Sequence, residues 1–251
     1  MTGKPLISVI TVVRNAERHI AGCLASVKNQ DAAGVEHWVV DGASTDHTVQ
    51  ILQDNSEPRL HWLSEPDKGV FDAMNKAVRL VSGDWILFLG ADDRLRPGVL
   101  KRMSDHLADP HTVYYGDVWM TGTRTVYGGR FSRFRLARKN ICHQAIFYPR
   151  TVFDAHLFDL SYPIQADWVF NMACRQDAGF RFQHVPLLVT DYDNHSGLSS
   201  RLRDLAIERN YVTLLHRYFP PSIAWPWSAV VLGGRWLKRM LGVRPIPGEP
   251  E

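Results

Sequence analysis

The feature that most constrains this chain is a pattern repeated through its first hundred residues. A short apolar run ends in a polar cluster, and apolar residues at helical spacing follow. Ile7 to Val13 reads as a buried strand that stops at Arg14-Asn15. Ile20, Leu24 and Val27 then recur with a helical period. His37 to Val40 is a second strand ending at Asp41-Gly42, with Ser44 as N-cap of a helix through Val49, Ile51 and Leu52. Leu60 to Leu63 is a third strand, followed by the polar stretch Glu65 to Lys68. Phe71, Met74, Val78 and Val81 mark an amphipathic helix. Trp85 to Leu89 is a fourth strand, ending at Gly90-Ala-Asp-Asp93. Pro97 opens a helix carrying Val99, Leu100, Met103 and Leu107.

This alternation predicts an α/β fold with a mostly parallel central sheet flanked by helices. Ligands in such sheets bind beyond the carboxyl ends of the strands, where this sequence keeps its polar clusters. The second half is less regular. Val113 to Met120, His143 to Tyr148 and Val185 to Tyr192 read as strands, and Asp167 to Cys174 as a short helix. Residues 200–218 read as a longer helix, which Pro220-Pro221 interrupts. Ile223 to Val243 then carries Trp225, Trp227 and Trp236 beside Arg235, Lys238 and Arg239.

The 251 residues, 45% hydrophobic and 22% charged, suit one α/β domain with a substantial core. Three irregularly spaced cysteines argue against a disulfide framework or a zinc cluster and for a reducing, cytoplasmic setting. Leu6 to Val13 is too short for a secretory leader, and no run of about 18 apolar residues suggests a membrane span. The net charge of +3 is uneven: residues 201–251 hold eight Lys/Arg against four Asp/Glu. That tail suits an anionic lipid surface better than nucleic acid, or else a solvated basic face. It points to a peripheral position on the inner face of the cytoplasmic membrane.

No dinucleotide fingerprint follows the first strand, and neither a P-loop nor a nucleophile elbow occurs anywhere. What remains is a set of carboxylates, an Asn and a Lys at strand ends. These lie in Ser8-Val-Ile-Thr-Val-Val-Arg-Asn15, Val39-Val-Asp-Gly-Ala-Ser-Thr-Asp46, Ser64-Glu-Pro-Asp-Lys-Gly-Val-Phe-Asp-Ala-Met-Asn-Lys76 and Gly90-Ala-Asp-Asp93. Together and in this order they resemble the family 2 glycosyltransferases of GT-A fold, over roughly residues 6–195 and most strongly to 93. The resemblance implies a Rossmann-like nucleotide-sugar-binding half over 6–110 and a smaller mixed acceptor half over 111–218, forming one domain over 1–218. C-terminal helices and a basic, Trp-rich tail over 219–251 would follow.

The family's donor site carries over residue by residue. Thr11, Val13 and Asn15 match the loop lining the nucleoside pocket. Asp41 matches the aspartate that accepts from the base N–H groups, although alone Asp41-Gly42 reads as a turn. Asp67, Lys68, Asp72 and Asn75 are expected at donor sugar and ribose. Lys76 pairs with Asp72 as a surface i,i+4 contact. Ala91 and Asp92 complete the donor set. Asp92 matches the metal ligand of the family's Asp-x-Asp site, with Asp93 after it and Gly90 where the first Asp is usual. The resemblance implies Mg2+ or Mn2+ there, with His195 as a third ligand or phosphate contact. A dense carboxylate pair after a buried strand needs such a cation, or Asp93 instead caps the helix near Pro97.

On the acceptor side, Asp167 matches the catalytic aspartate, and a plain N-cap is its other reading. His143-Gln144 resembles a His-Gln recurring in this branch and is expected at the acceptor or donor phosphate. Residues 118–150 hold seven Lys/Arg and no Asp or Glu. Arg133, Arg135 and Arg138, after the mobile-looking Gly128-Gly129, are expected to meet a phosphate-bearing, lipid-linked acceptor. The implied reaction is inverting transfer from a nucleotide-sugar, a UDP-sugar by preference, to a glycan or lipid-linked hydroxyl in envelope polysaccharide synthesis. Two rivals stand beside it: a nucleotidyltransferase of the same superfamily, and a non-catalytic sugar-nucleotide-binding protein.

Overall fold

The computed structural model describes residues 4–195 and 204–241, with the backbone alone at Lys238 and Arg239. The expected alternation is present. Strands β1 (Ile7–Val13), β2 (Val35–Asp41), β3 (Leu60–Ser64) and β4 (Trp85–Phe88) are joined through helices α1 (Ile20–Lys28), α2 (Thr48–Asp54) and α3 (Val70–Ala77). The short β5 (Arg94–Leu95) and helix α4 (Val99–Ser104) follow. Then come β6 (Thr112–Met120), β7 (Thr125–Tyr127), α5 (Arg133–Arg138), β8 (Ile146–Pro149), α6 (Val152–Ala155), α7 (Ala166–Gln176) and β9 (Arg181–Tyr192). Two helices, α8 (Leu205–Tyr218) and α9 (Pro221–Met240), complete the described chain.

Among the described residues the nine strands form one sheet, ordered β3-β2-β1-β4-β8-β6-β9-β5, with β7 on β6. The half built from β3, β2, β1 and β4 is parallel throughout. Beyond β4 the sheet is mixed: β8 runs antiparallel to β4 and β6, while β6 and β9 are parallel.

Side-chain alternation sorts the core into two layers. Ile10, Val40, Ile86, Phe88 and Tyr148 face the side covered by α3 and α5 to α9. Ile7, Val9, Val39, Leu87 and Phe147 face α1 and α4. A parallel sheet covered on both faces accounts for the unbroken apolar runs in β1 and β4. On the first side Phe88, Tyr148, Phe153, Phe158 and Phe170 interlock, with Phe158 and Phe170 ring centres 4.6 Å apart. Each fully buried aromatic of this kind contributes about 1.5–3 kcal/mol.

Several local expectations differ in detail. His143 to Ala145 is a 3-10 turn, so the strand there begins at Ile146. Ser44 is not the N-cap of α2: that position is His47, without a side-chain cap bond, and Asp46 just before it accepts from Thr48 N through Oδ1 at 2.9 Å. The basic stretch after Gly129 is partly ordered into α5, capped by Ser132. No helix of the described residues is long and apolar enough to cross a membrane.

Candidate active site

The loops after β1, β2, β3 and β4 meet at one end of the parallel half-sheet, and hydrogen bonds fasten the first two together. Asn15, at φ 54°, donates its N–H to Ser44 Oγ (2.7 Å) and accepts from Thr45 N through Oδ1 (2.8 Å). Ala16 N donates to Thr48 Oγ1 at 2.8 Å.

Beneath them, Asp41 is fully buried. Its carboxylate accepts from Ser44 N (2.9 Å), Ser64 Oγ (2.7 Å) and Ser44 Oγ. It therefore organises the turn, and it is not among the residues lining the cavity above. Thr11 is buried in the sheet, its Oγ1 3.0 Å from His37 Nε2. That histidine is pushed down to about 3 by burial, so it is neutral in the fold.

The cavity at these loop ends measures about 680 Å3. Val13, Asn15, Asp67, Gly69, Ala91 and Asp92 line it, as do three cations or potential cations, Arg14, Arg18 and His19. The last three were not singled out from sequence, although they follow directly on the first strand. Cations opposite a carboxylate in a concave site suit a diphosphate bound through a metal ion. Lys68 and Asp72 stay outside the lining: Lys68 N donates to Asp72 Oδ2 at 3.0 Å. Lys76 pairs with Glu65 at 3.0 Å and more distantly with Asp72 at 3.6 Å.

Asn75 departs most from expectation. Its Nδ2 donates to Phe158 O at 2.9 Å, and its Oδ1 accepts from Phe158 N at 3.0 Å. The amide clamps α3 to the segment before α7 and has no place in the donor cavity.

After β4 the chain turns at Gly90. A side chain there would stand 2.8 Å from Asp92 Oδ1 and closer still to Asp93 Oδ2, so the missing Cβ lets both carboxylates converge on one point. Asp93 does not cap α4. It is 1% exposed, its Oδ1 accepts from Asp193 N at 2.9 Å, and its Oδ2 has no hydrogen-bond partner within 3.5 Å among the described residues. Burial, then the charge of Asp92, pushes Asp93 up to about 7. Burial, and then Asp193, also raises Asp92. Two converging carboxylates with raised protonation and an orphaned buried oxygen fit a hard divalent cation completed by phosphate oxygens and water. Among the described residues no group of three His, Cys, Asp or Glu side chains is placed to hold a metal. The ring of His195 lies against Gly122 and is not among the residues lining either cavity.

A second cavity of about 260 Å3 adjoins the first, and His143, Gln144, Ile164 and Tyr192 line both. Asp167, in the first turn of α7, lines only this smaller one. It is no N-cap, because its Oδ2 accepts from Asn140 Nδ2 (2.7 Å) and pairs with His143 Nδ1 (3.0 Å). Arg135 and Arg138 make contacts within the fold and line neither cavity. Arg135 donates to Gly128 O (2.6 Å) and lies over Phe131, while Arg138 lies 4.8 Å from the Trp227 ring centre. Arg133 is exposed on α5 and lines neither cavity.

A PGL/p-HBAD biosynthesis glycosyltransferase of Mycobacterium tuberculosis is 38% identical over 208 residues, 80% of this chain and 81% of that protein. Staphylococcus aureus TarS 1-349 with UDP-GlcNAc aligns at TM-score 0.68 and 20% identity, covering 85% of this chain and 67% of that one. Mannosyltransferase PcManGT of Pyrobaculum calidifontis, with GDP-Man and Mn2+, aligns at TM-score 0.68 and 17% identity, covering 98% and 78%. The latter two likenesses establish the GT-A fold. The model of glycosyl transferase family 2 matches residues 8–179, and with a relative of such identity and coverage the chain belongs to that family.

Proposed function

We propose that this glycosyltransferase moves a sugar, with inversion, from a UDP-sugar to a hydroxyl of a lipid-borne glycan at a membrane surface. The observation that carries the donor half is the convergence of the loops after β1, β3 and β4 on one 680 Å3 cavity, with Asp92, Arg14 and Arg18 on its wall. Its size is that of a small-ligand site. Arg14 and Arg18 hold the diphosphate, Asp67 the sugar or ribose, and the fastened loops of Asn15 and Ser44 pre-order the nucleoside end. Mg2+ or Mn2+ held by Asp92 and Asp93 would stabilise negative charge on the departing diphosphate. The smaller cavity receives the acceptor, whose hydroxyl reaches the donor sugar past His143 and Gln144. Asp167 supplies the negative charge that favours loss of the hydroxyl proton.

Two features support a lipid-borne acceptor. The 38% identical relative carries PGL/p-HBAD biosynthesis in its name. On α9, Trp225, Leu232, Trp236 and Met240 are each at least half exposed and recur on one face, with Val230, Leu237 and Leu241 on the adjoining stripe. The opposite face is held by Trp227 Nε1, which donates to Tyr211 OH at 2.8 Å, and by Ser228 against His216 at 3.1 Å. An uncharged half-cylinder in a segment with surplus Lys/Arg matches an anionic bilayer interface. Thermal unfolding with UDP-glucose, UDP-galactose, UDP-N-acetylglucosamine and GDP-mannose, with and without Mn2+, tests the donor. One UDP-sugar should stabilise the fold in a Mn2+-dependent manner; a response to GDP-mannose alone would refute the uridine assignment.

A further inference from the structure

The smaller cavity is walled by a different chemistry from the donor cavity beside it. It holds about 260 Å3, against about 680 Å3 for its neighbour. A space of that size suits one ring and not an extended chain. Tyr127, Trp168 and Tyr192 line it, together with Met120, Ile141 and Ile164. None of its lining side chains among the described residues is Lys or Arg, whereas Arg14 and Arg18 line the donor cavity. Its carboxylate is Asp167, with a side chain 12% exposed, and its potential cation is His143, already paired with that carboxylate at 3.0 Å.

Two of the aromatic walls are fixed by other elements. Trp168 Nε1 donates to Leu136 O at 2.8 Å, and its ring packs on Tyr211 with ring centres 5.6 Å apart. Tyr211 OH in turn donates to Ala137 O and accepts from Trp227 Nε1. Tyr127 OH donates to Asn140 O, and its ring meets Phe131 edge-on. Walls held in this way are pre-ordered, so little freedom is lost when a partner settles against them. Asn140 Nδ2 and His143 Nδ1 both reach Oδ2 of Asp167, which leaves Oδ1 to accept from an acceptor hydroxyl. Gln144 and Gln165 add polar groups to the same lining. A pyranose ring fits this division, since it carries C–H groups on its face and hydroxyls around its rim. A ring bearing a carboxylate or a phosphate does not: its charge would meet Asp167 with no cation to answer it.

We infer that the reacting unit of the acceptor is a single uncharged sugar ring, seated against Trp168 with its hydroxyl at Asp167, and that the cavity refuses uronic acids and phosphosugars. The inference deepens the transferase reading and rests on it. Trp168 is then a specificity-determining residue: it supplies apolar surface to the ring, and the cavity's lack of a Lys or Arg beside Asp167 supplies the discrimination against anions. Any phosphate on a lipid-borne acceptor lies outside this cavity.

The test uses the full chain with the nucleotide-sugar that stabilises it most in the thermal screen. Octyl glucoside, octyl galactoside and octyl mannoside are offered as acceptors, each beside its uronic acid and its 6-phosphate. Sugar transfer and nucleotide release are both measured. At least one neutral glycoside should accept the sugar, and its two charged counterparts should fall by about 100-fold or more in kcat/KM, the scale of a like charge brought against Asp167. Trp168→Ala should raise KM for the neutral acceptor about tenfold through lost apolar contact, with UDP affinity within about threefold as the sign of an intact fold. Trp168→Phe, which keeps a ring, should recover most of that loss. A charged glycoside accepted within about threefold of its neutral parent, or accepted where the parent is not, would overturn the inference. Unchanged KM in both Trp168 variants would overturn it too. Nucleotide release into water without transfer to any neutral glycoside would overturn the inference and leave the transferase reading standing. A wild type that binds the nucleotide-sugar yet neither releases nor transfers its sugar would overturn both.

Discussion

The absent side chain of Gly90 is the space into which the carboxylate of Asp93 turns, beside Oδ1 of Asp92. A Cβ at residue 90 must displace one of them. Gly90→Ala is expected to weaken Mn2+-dependent UDP binding at least tenfold and to destabilise the fold by about 1–3 kcal/mol, as overpacking does. Isothermal titration and urea unfolding measure the two effects. Unchanged values for both would show that the glycine is incidental.

Asp93 makes stability without metal depend on pH in a defined direction. Its folded value is about 7, against 3.8 as an unperturbed carboxyl. A group raised in the folded state contributes stability that is complete below its unfolded pKa and is lost as pH rises through the folded one. The metal-free protein should therefore lose stability between pH 4 and 7 on this account, on the order of 4 kcal/mol at full ionisation. His37 works in the opposite sense, since its folded value lies near 3 and it removes stability as pH falls below 6.5. Asp93→Asn should abolish the loss on the alkaline side and leave the acid limb alone. Melting curves in chelator from pH 4 to 9 separate the two.

Asn75 is expected to matter for stability and not for the donor. Asn75→Ala leaves Phe158 N–H and C=O without their partners and should cost about 2–4 kcal/mol. UDP affinity of the folded variant should stay within twofold. A variant of normal stability with lost UDP binding would return Asn75 to the donor site.

The exposed face of α9 predicts a separation between folding and membrane binding. Trp225 and Trp236 are 67% and 62% exposed, whereas Trp227 is held by Tyr211 and Arg138. The double variant Trp225→Ala, Trp236→Ala should bind phosphatidylglycerol vesicles roughly tenfold more weakly, with stability changed by about 0.5 kcal/mol or less. Trp227→Ala should be destabilised. Equal vesicle binding by the double variant and the wild type would remove α9 from the interface.

The parallel half-sheet was legible because its determinants are local. Apolar runs at Ile7–Val13 and Trp85–Phe88 announce buried strands, and the polar clusters after them mark the ligand-binding end. Harder to read were residues whose partners come from far along the chain. Nothing near Asn75 foretells Phe158, eighty-three residues away. Asp204 illustrates the same limit: it caps α8 through Ala206 N and Ile207 N while accepting from Ile164 N and Gln165 N just before α7. Asp41 lies at the strand end the sequence marks, but its hydrogen bonds to Ser44 and Ser64, the latter twenty-three residues away, carry no local sequence signal. The missing first acidic residue at Gly90 became intelligible only once Asp93 was seen to fill its space. Arg14 and Arg18 carry a local signal, four residues apart directly after β1, which attention to carboxylates alone passes over.

The central claim is that the cavity beyond β1, β3 and β4 grips a nucleoside diphosphate through a cation at Asp92. Calorimetric titration of UDP into the wild type and Asp92→Asn, each with Mn2+ and with chelator, measures this directly. The wild type should bind UDP at least tenfold more tightly with Mn2+, and Asp92→Asn should bind equally weakly in both conditions. Equal affinity of wild type and variant in Mn2+, or no UDP binding by the wild type at all, would contradict it.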